Sequence, residues 1–95
     1  MKSLKNLAII GIGRWGKNLL REFNKVAKIS YVYHRGNNEN LKWLKENYPN
    51  IKTADSYDKI IQNPDVDAVV IATPIKTHYE LTRKALLTGK DVFVE

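Results

Sequence analysis

The stretch from Leu7 to Leu20 constrains this chain more than any other part of it. It opens with Leu7-Ala8-Ile9-Ile10, an unbroken apolar run of strand length, and a strand without polar alternation is one buried on both faces. Gly11, Gly13 and Gly16 follow in Gly-x-Gly-x-x-Gly spacing. Beyond them the apolar residues change to a helical period, with Trp15, Leu19, Leu20 and Phe23 on one face. The sequence thus predicts a strand, a tight turn and a helix. Gly11 permits the sharp turn, Gly13 lets a ligand come close to the backbone, and Gly16 lets the helix pack against the strand. The N–H groups that open such a helix have no partner within it, and with the helix dipole they attract an anion. Glycines at this spacing also arise by chance. Between a strand and a helix they point to the pyrophosphate of a dinucleotide, with Gly11, Ile12, Gly13, Arg14, Trp15 and Gly16 as candidate contacts. Trp15 suits packing, in the core or against another domain, better than it suits the ligand.

The rest of the composition narrows the class. Ninety-five residues make one domain or part of one, and 43% apolar with 27% charged residues describes an ordinary soluble globular protein. No run is long and apolar enough to span a membrane, and Met1 to Asn6 lacks a signal-peptide cleavage pattern. The absence of cysteine excludes disulfides, thiol catalysis and cysteine-ligated metal, and it fits the cytoplasm. The formal charge of +6 raises the question of nucleic acid, but the lysines are dispersed and no nucleic-acid-binding motif accompanies them. The expectation is a solvated basic surface that favours phosphate-bearing ligands, with neither nucleic acid nor membrane as partner. His34 and His78 without spaced carboxylates do not make a metal site, and Ser3, Ser30 and Ser56 lack a nucleophile-elbow context.

Taken in order, the chain predicts a first strand over Leu7 to Ile10, a helix over Arg14 to Asn24 and a second strand over Lys28 to Tyr33. His34 to Asn38 is a polar loop, with Asn38 as N-cap of a helix reaching Asn47 that buries Leu41, Leu44 and Tyr48. Ile51 to Ala54 is a short third strand, and Ser56 caps a helix over Tyr57 to Gln62. Ala68 to Ala72 is a wholly apolar, hence central, fourth strand ended by Thr73-Pro74. Thr77 and Glu80 read as a capping box for a helix with Leu81, Ala85 and Leu86 on its buried stripe and Gly89 just past its end. Asp91 to Val94 is the last strand. This βαβαβαβαβ order predicts an α/β fold, a doubly wound parallel sheet with strand order 3-2-1-4-5. Its ligand crevice lies at the carboxyl ends of strands 1 and 4, where the glycine turn and Thr73-Pro74 meet.

Three blocks in this order resemble the N-terminal domain of the Gfo/Idh/MocA oxidoreductases, which act on sugars, inositols and related polyols with a nicotinamide cofactor. They are Ile10-Gly11-Ile12-Gly13-Arg14-Trp15-Gly16-Lys17-Asn18, then Asp67-Ala68-Val69-Val70-Ile71-Ala72-Thr73-Pro74 followed by Thr77-His78, and finally Gly89-Lys90-Asp91-Val92-Phe93-Val94-Glu95. The last block is the lead-in to that family's Glu-Lys-Pro motif, whose lysine positions or protonates the substrate's reacting oxygen. The resemblance therefore implies a Rossmann domain over residues 1–95 and a C-terminal substrate domain beyond them, with no catalytic residue in this chain and turnover only in the complete enzyme. It implies that Thr73 and Pro74 line the phosphate and nicotinamide-ribose region, and that Glu95 lies near the nicotinamide ribose. His78 matches a family histidine, which either approaches the nicotinamide side or faces solvent.

The end of the second strand departs from the family pattern. His34 stands where an acidic residue usually binds the ribose of NAD, and Arg35 follows it. A guanidinium can hold a 2′-phosphate that a carboxylate would repel, so Arg35 favours NADP over NAD. Arg35 could equally be solvated or stack on adenine. A non-enzymatic nucleotide-sensing or interaction module of the same fold is the alternative function. The apolar last strand, as a sheet edge, predicts self-association.

Overall fold

The computed structural model describes residues 5–34 and 38–94. Five parallel strands, β1 (Asn6–Ile10), β2 (Lys28–Tyr33), β3 (Lys52–Ala54), β4 (Ala68–Ile71) and β5 (Asp91–Val94), form one sheet in the order β3-β2-β1-β4-β5. The helices are α1 (Arg14–Phe23), α2 (Asn38–Asn47), α3 (Tyr57–Gln62) and α4 (His78–Leu87), and a single 3₁₀ turn, Ile75–Thr77, precedes α4. The fold class and strand order are those predicted.

The apolar runs of β1 and β4 explain the layers. Leu7, Ile9, Ala68 and Val70 point to the face that holds Leu20 of α1 and Leu44 of α2. Ala8, Ile10, Val69 and Ile71 point to the opposite face, against Tyr57, Ile60 and Ile61 of α3 and Ala85 of α4. All eight strand residues are buried, which is why neither run alternates. In β2 the register against β1 shifts: Leu7 pairs with Ile29 and Ala8 with Tyr31. Ser30 is thereby an extra residue, and Ile29 and Val32 reach one face while Tyr31 and Tyr33 reach the other.

Several local expectations shift by a residue. Asn6 joins β1, Asn24 caps α1 from outside, α2 begins at Asn38 itself, Ile51 precedes β3, and Ala72 follows β4. Ser56 does cap α3, its hydroxyl accepting the Lys59 N–H at 3.3 Å. Gly89 closes α4 at φ +81°, with its N–H donating to the Leu86 carbonyl and the Lys90 N–H to the Ala85 carbonyl, the paired bonds of a Schellman ending.

Three expectations are corrected. Trp15 is 60% exposed and so is no core residue, which leaves packing against another domain as its expected role, because the contact of α1 with the sheet is centred on Gly16 and Leu20, about a quarter turn away from it. Leu86 is 58% exposed. The buried line of α4 runs through Leu81 and Ala85, and Leu86 lies one residue around from Ala85. The capping box does not form. Thr77 has helical dihedrals (φ −92°, ψ −12°), so its hydroxyl turns back to the Pro74 carbonyl at 2.6 Å and makes no cap bond to α4.

Candidate functional site

The two strands at which the winding reverses each run one residue past their ends. The Gly11 N–H donates to the Tyr33 carbonyl at 3.0 Å, and the Ala72 N–H donates to the Ile10 carbonyl at 2.9 Å. The first bond ties the β1 mouth to β2, and the second holds the β1 and β4 mouths side by side. Gly11 then turns at φ +98°, a conformation that L side chains resist. A Cβ on Gly11 would stand 3.1 Å from both the Ala72 carbonyl oxygen and Thr73 Cγ2. Five residues on, a Cβ on Gly16 would collide with the Gly11 carbonyl. Gly13, in contrast, has no atom within 4 Å of where its Cβ would be. Gly11 and Gly16 serve the fold, and Gly13 keeps space open.

Gly13 is also the N-cap of α1, which has no side-chain cap and no acidic residue in its first turn. The other three helices carry Glu39, Asp58 and Glu80 there. The N–H groups of the first turn are therefore left for an anion, with no carboxylate competing. Arg14 and Lys17 stand beside them, and the Lys17 ammonium lies 5.0 Å from the centre of the Trp43 ring.

At the β4 mouth the geometry is made by side chains. His78 Nε2 lies 2.7 Å from the Thr73 carbonyl oxygen, and the hydroxyls of Thr73 and Thr77 are 2.6 Å apart. Behind this loop, the Tyr57 hydroxyl donates to the Leu81 carbonyl at 2.6 Å, tying α3 to α4. Burial, with a smaller contribution from Asp58, pushes the Tyr57 pKa up to about 12. The Tyr57 ring meets Tyr33 edge-on at 6.3 Å.

Between the mouths lies a cavity of about 240 Å³, lined by Gly11, Ile12 and Gly13 of the turn, Tyr33 and His34 at the end of β2, Asn40 of α2, and Ala72, Thr73 and Pro74. Of the expected contacts, the structure thus brings together Gly11, Ile12, Gly13, His34, Thr73 and Pro74. Arg14, Trp15, Gly16 and His78 do not line the cavity, and Arg35 and Glu95 lie outside the described residues. Tyr33, Asn40 and Ala72 were not singled out by sequence reasoning. The available signal was topological: each sits at the carboxyl end of a strand or in the helix turn that follows one. A larger cavity of about 530 Å³ lies on the outer face of α4 between Tyr79, Arg83, Leu86 and Leu87. It is shallow and apolar and offers none of the glycine turn's N–H groups, so the smaller one is the candidate site.

Comparison with known proteins bears on the same residues. The model of the oxidoreductase family with an NAD-binding Rossmann fold, GFO_IDH_MocA, matches residues 5–95. The chain is 34% identical over 92 residues to 2,7-anhydro-N-acetylneuraminate hydratase of Escherichia coli, covering 95% of this chain and 24% of that protein. It is 32% identical over 101 residues to the NAD⁺-dependent scyllo-inositol 2-dehydrogenase of Bacillus subtilis, covering 93% of this chain and 26% of that one. The chain spans about a quarter of the length of these curated relatives. Scyllo-inositol dehydrogenase of Lactobacillus casei, solved with NAD(H) and scyllo-inositol, superposes with a TM-score of 0.85 at 27% identity, over 97% of this chain and 28% of that one. Because the family model spans residues 5–95, glycine turn and β4 mouth included, the chain belongs to the Gfo/Idh/MocA oxidoreductases as an NAD-binding Rossmann domain.

Proposed function

We propose that this chain is the cofactor-binding half of an oxidoreductase that transfers a hydride between a nicotinamide dinucleotide and a hydroxyl of a sugar, nucleotide-sugar or polyol. One observation carries the reading: the cavity between the β1 and β4 mouths has an uncapped, acid-free helix N-terminus at one wall and open space at Gly13. A diphosphate suits that wall, because the N–H groups donate to it and no side chain at Gly13 blocks it. Gly11, Ile12 and Gly13 hold the pyrophosphate, with Arg14, Trp15 and Gly16 contributing main-chain groups. His34, Arg35 and Asn40 take the adenosine ribose, and the positive charge of Arg35 favours NADP. Thr73 and Pro74, with His78 behind them and Glu95 beyond β5, form the nicotinamide end.

The nicotinamide ring supplies the hydride acceptor, and the chain's part is to orient it and exclude water. His34 is the one histidine among the described lining residues, and this reading gives it to the adenosine ribose, away from the reacting hydroxyl. We assign that hydroxyl's proton to sequence outside these residues, at the lysine that follows the glutamate in the family motif, and the substrate pocket to a further domain. The polyol class draws support from the two scyllo-inositol dehydrogenases. A nucleotide-sensing module that only binds would use the same crevice and is the alternative. A cytoplasmic location, where nicotinamide nucleotides are abundant and no disulfide is needed, belongs to the same reading.

Calorimetric titration with NADH and NADPH tests the proposal. Binding of either, with no dehydrogenase turnover by this chain alone, is the expected result, and tighter NADPH binding that Arg35→Asp reverses supports the NADP assignment. Failure to bind both sinks it. Self-association is the remaining element. Among the described residues β5 pairs only with β4, and Phe93 and Val94 are each 46% exposed, so sedimentation should show a dimer that Phe93→Lys weakens. A monomer at high concentration removes it.

A further inference from the structure

The β4 mouth contains a chain of hydrogen bonds whose direction is dictated by chemistry. The Pro74 carbonyl can only accept, and it takes both the Thr77 N–H at 2.9 Å and the Thr77 hydroxyl at 2.6 Å. A threonine hydroxyl has a single proton, so Thr77 has none left for Thr73. At 2.6 Å between the two hydroxyls, Thr73 must be the donor. The Thr73 carbonyl likewise can only accept, so His78 Nε2 at 2.7 Å must carry a hydrogen. In the neutral ring this is the Nε2–H tautomer, with Nδ1 bare.

The arrangement has two effects on the crevice. Carbonyl oxygens carry partial negative charge, and two successive ones at the mouth of an anion site would repel phosphate. Here both are engaged by donors from the start of α4. Second, the Thr73 side chain is held: its hydroxyl proton is spent on Thr77, and its methyl lies 3.1 Å from where a Gly11 Cβ would be. Towards a ligand the Thr73 hydroxyl therefore has only lone pairs, which suit a ribose hydroxyl and not a phosphate. The loop gains this at the expense of α4, which forgoes the N-cap that a Thr at this position ordinarily supplies.

We infer that Thr77 and His78 are positioning residues: without touching the cofactor, they cap the Thr73 and Pro74 carbonyls and orient Thr73 so that the crevice accepts an anionic dinucleotide. The inference rests on the dinucleotide reading above and adds a role for residues that do not line the cavity. The test compares NADH affinity of the wild-type chain, His78→Phe, His78→Gln, Thr77→Val and Thr77→Ser by calorimetry, together with the tautomer of His78 by nitrogen-15 NMR. His78→Phe, which loses one half-buried hydrogen bond, and Thr77→Val, which loses the bonds to the Pro74 carbonyl and from the Thr73 hydroxyl, should each weaken NADH by about tenfold. Glutamine, whose amide nitrogen can replace Nε2, and serine, which keeps the hydroxyl, should restore affinity to within about twofold of wild type. The wild-type His78 ring should be in the Nε2–H form. An Nδ1–H ring, or wild-type affinity in His78→Phe, overturns the inference. So does a glutamine variant that is folded by circular dichroism yet binds as poorly as the phenylalanine one. If the wild type itself does not bind NADH, it is the dinucleotide reading that has failed, and the positioning role falls with it; the tautomer then still reports whether the network exists.

Discussion

The two mouths of the crevice are built by opposite means. After β1 the chain works by omission: Gly11 takes a left-handed turn, Gly16 lets α1 sit against the Gly11 carbonyl, and Gly13 leaves space. After β4 it works by addition, within six residues: the Thr77 hydroxyl and the His78 imidazole each bond a carbonyl, and the Thr73 hydroxyl bonds that of Thr77. An omission constrains the residue type at once, since only glycine has no Cβ. An addition constrains little by itself, because Thr, His and Pro acquire their meaning from which atoms come together. One mouth offers donors to a ligand and the other has its acceptors already occupied, and a diphosphate needs both.

The contrast breaks most visibly at Gly16. Gly16→Ala drives a Cβ into the Gly11 carbonyl, where backbone cannot yield cheaply. A loss of at least about 3 kcal/mol is expected in urea unfolding, among the largest effects of any single substitution here. A stable Gly16→Ala protein would show that α1 can lift off the sheet and that the β1 mouth is less rigid than described. Gly13→Ala sharpens the division of labour. Nothing lies within 4 Å of the added carbon, so stability should move by less than about 1 kcal/mol while NADH affinity falls about tenfold or more. Equal losses in both would mean that Gly13 serves the fold after all.

A smaller effect probes the support behind the β4 mouth. Tyr57→Phe removes the bond to the Leu81 carbonyl and should cost about 1 kcal/mol. It should also change the alkaline profile. In the folded chain the Tyr57 pKa is raised from 10 to about 12, so its contribution is complete below pH 10 and drains away as pH climbs towards 12. Chemical denaturation at successive pH values should show wild type losing stability across that window, with the phenylalanine variant losing less. Parallel curves would mean that Tyr57 ionises as freely folded as unfolded.

Legibility followed the same division. The apolar runs of β1 and β4 announced their double burial, and with βαβ alternation they dictated the strand order. Ser56 and Gly89, each bonded to a residue three positions away, were read correctly. The core burial expected of Trp15 and Leu86 was not, because helical periodicity says which residues share a face but not which way the face points. That direction was decided by the closest backbone contact, at Gly16 for α1, and by the line through Leu81 and Ala85 for α4. Thr77 was misread as a cap because two local acceptor–donor solutions compete there, and the 3₁₀ turn selects the one that serves Pro74. The bulge at Ser30 was invisible, since a register shift exists only between two strands.

By itself, the amino-acid sequence determined what depends on residue type and local order: which runs are buried, where glycine is indispensable, and hence the parallel sheet and its switch point. Only the tertiary structure decided the orientations: which side of α1 and α4 faces inward, that Tyr33, Asn40 and Ala72 join the crevice, and that Thr77 and His78 face the Pro74 and Thr73 carbonyls. The reason is physical. Burial and backbone freedom are properties of one residue and its neighbours, whereas a hydrogen bond or a packed face belongs to a pair, and the fold supplies the second member.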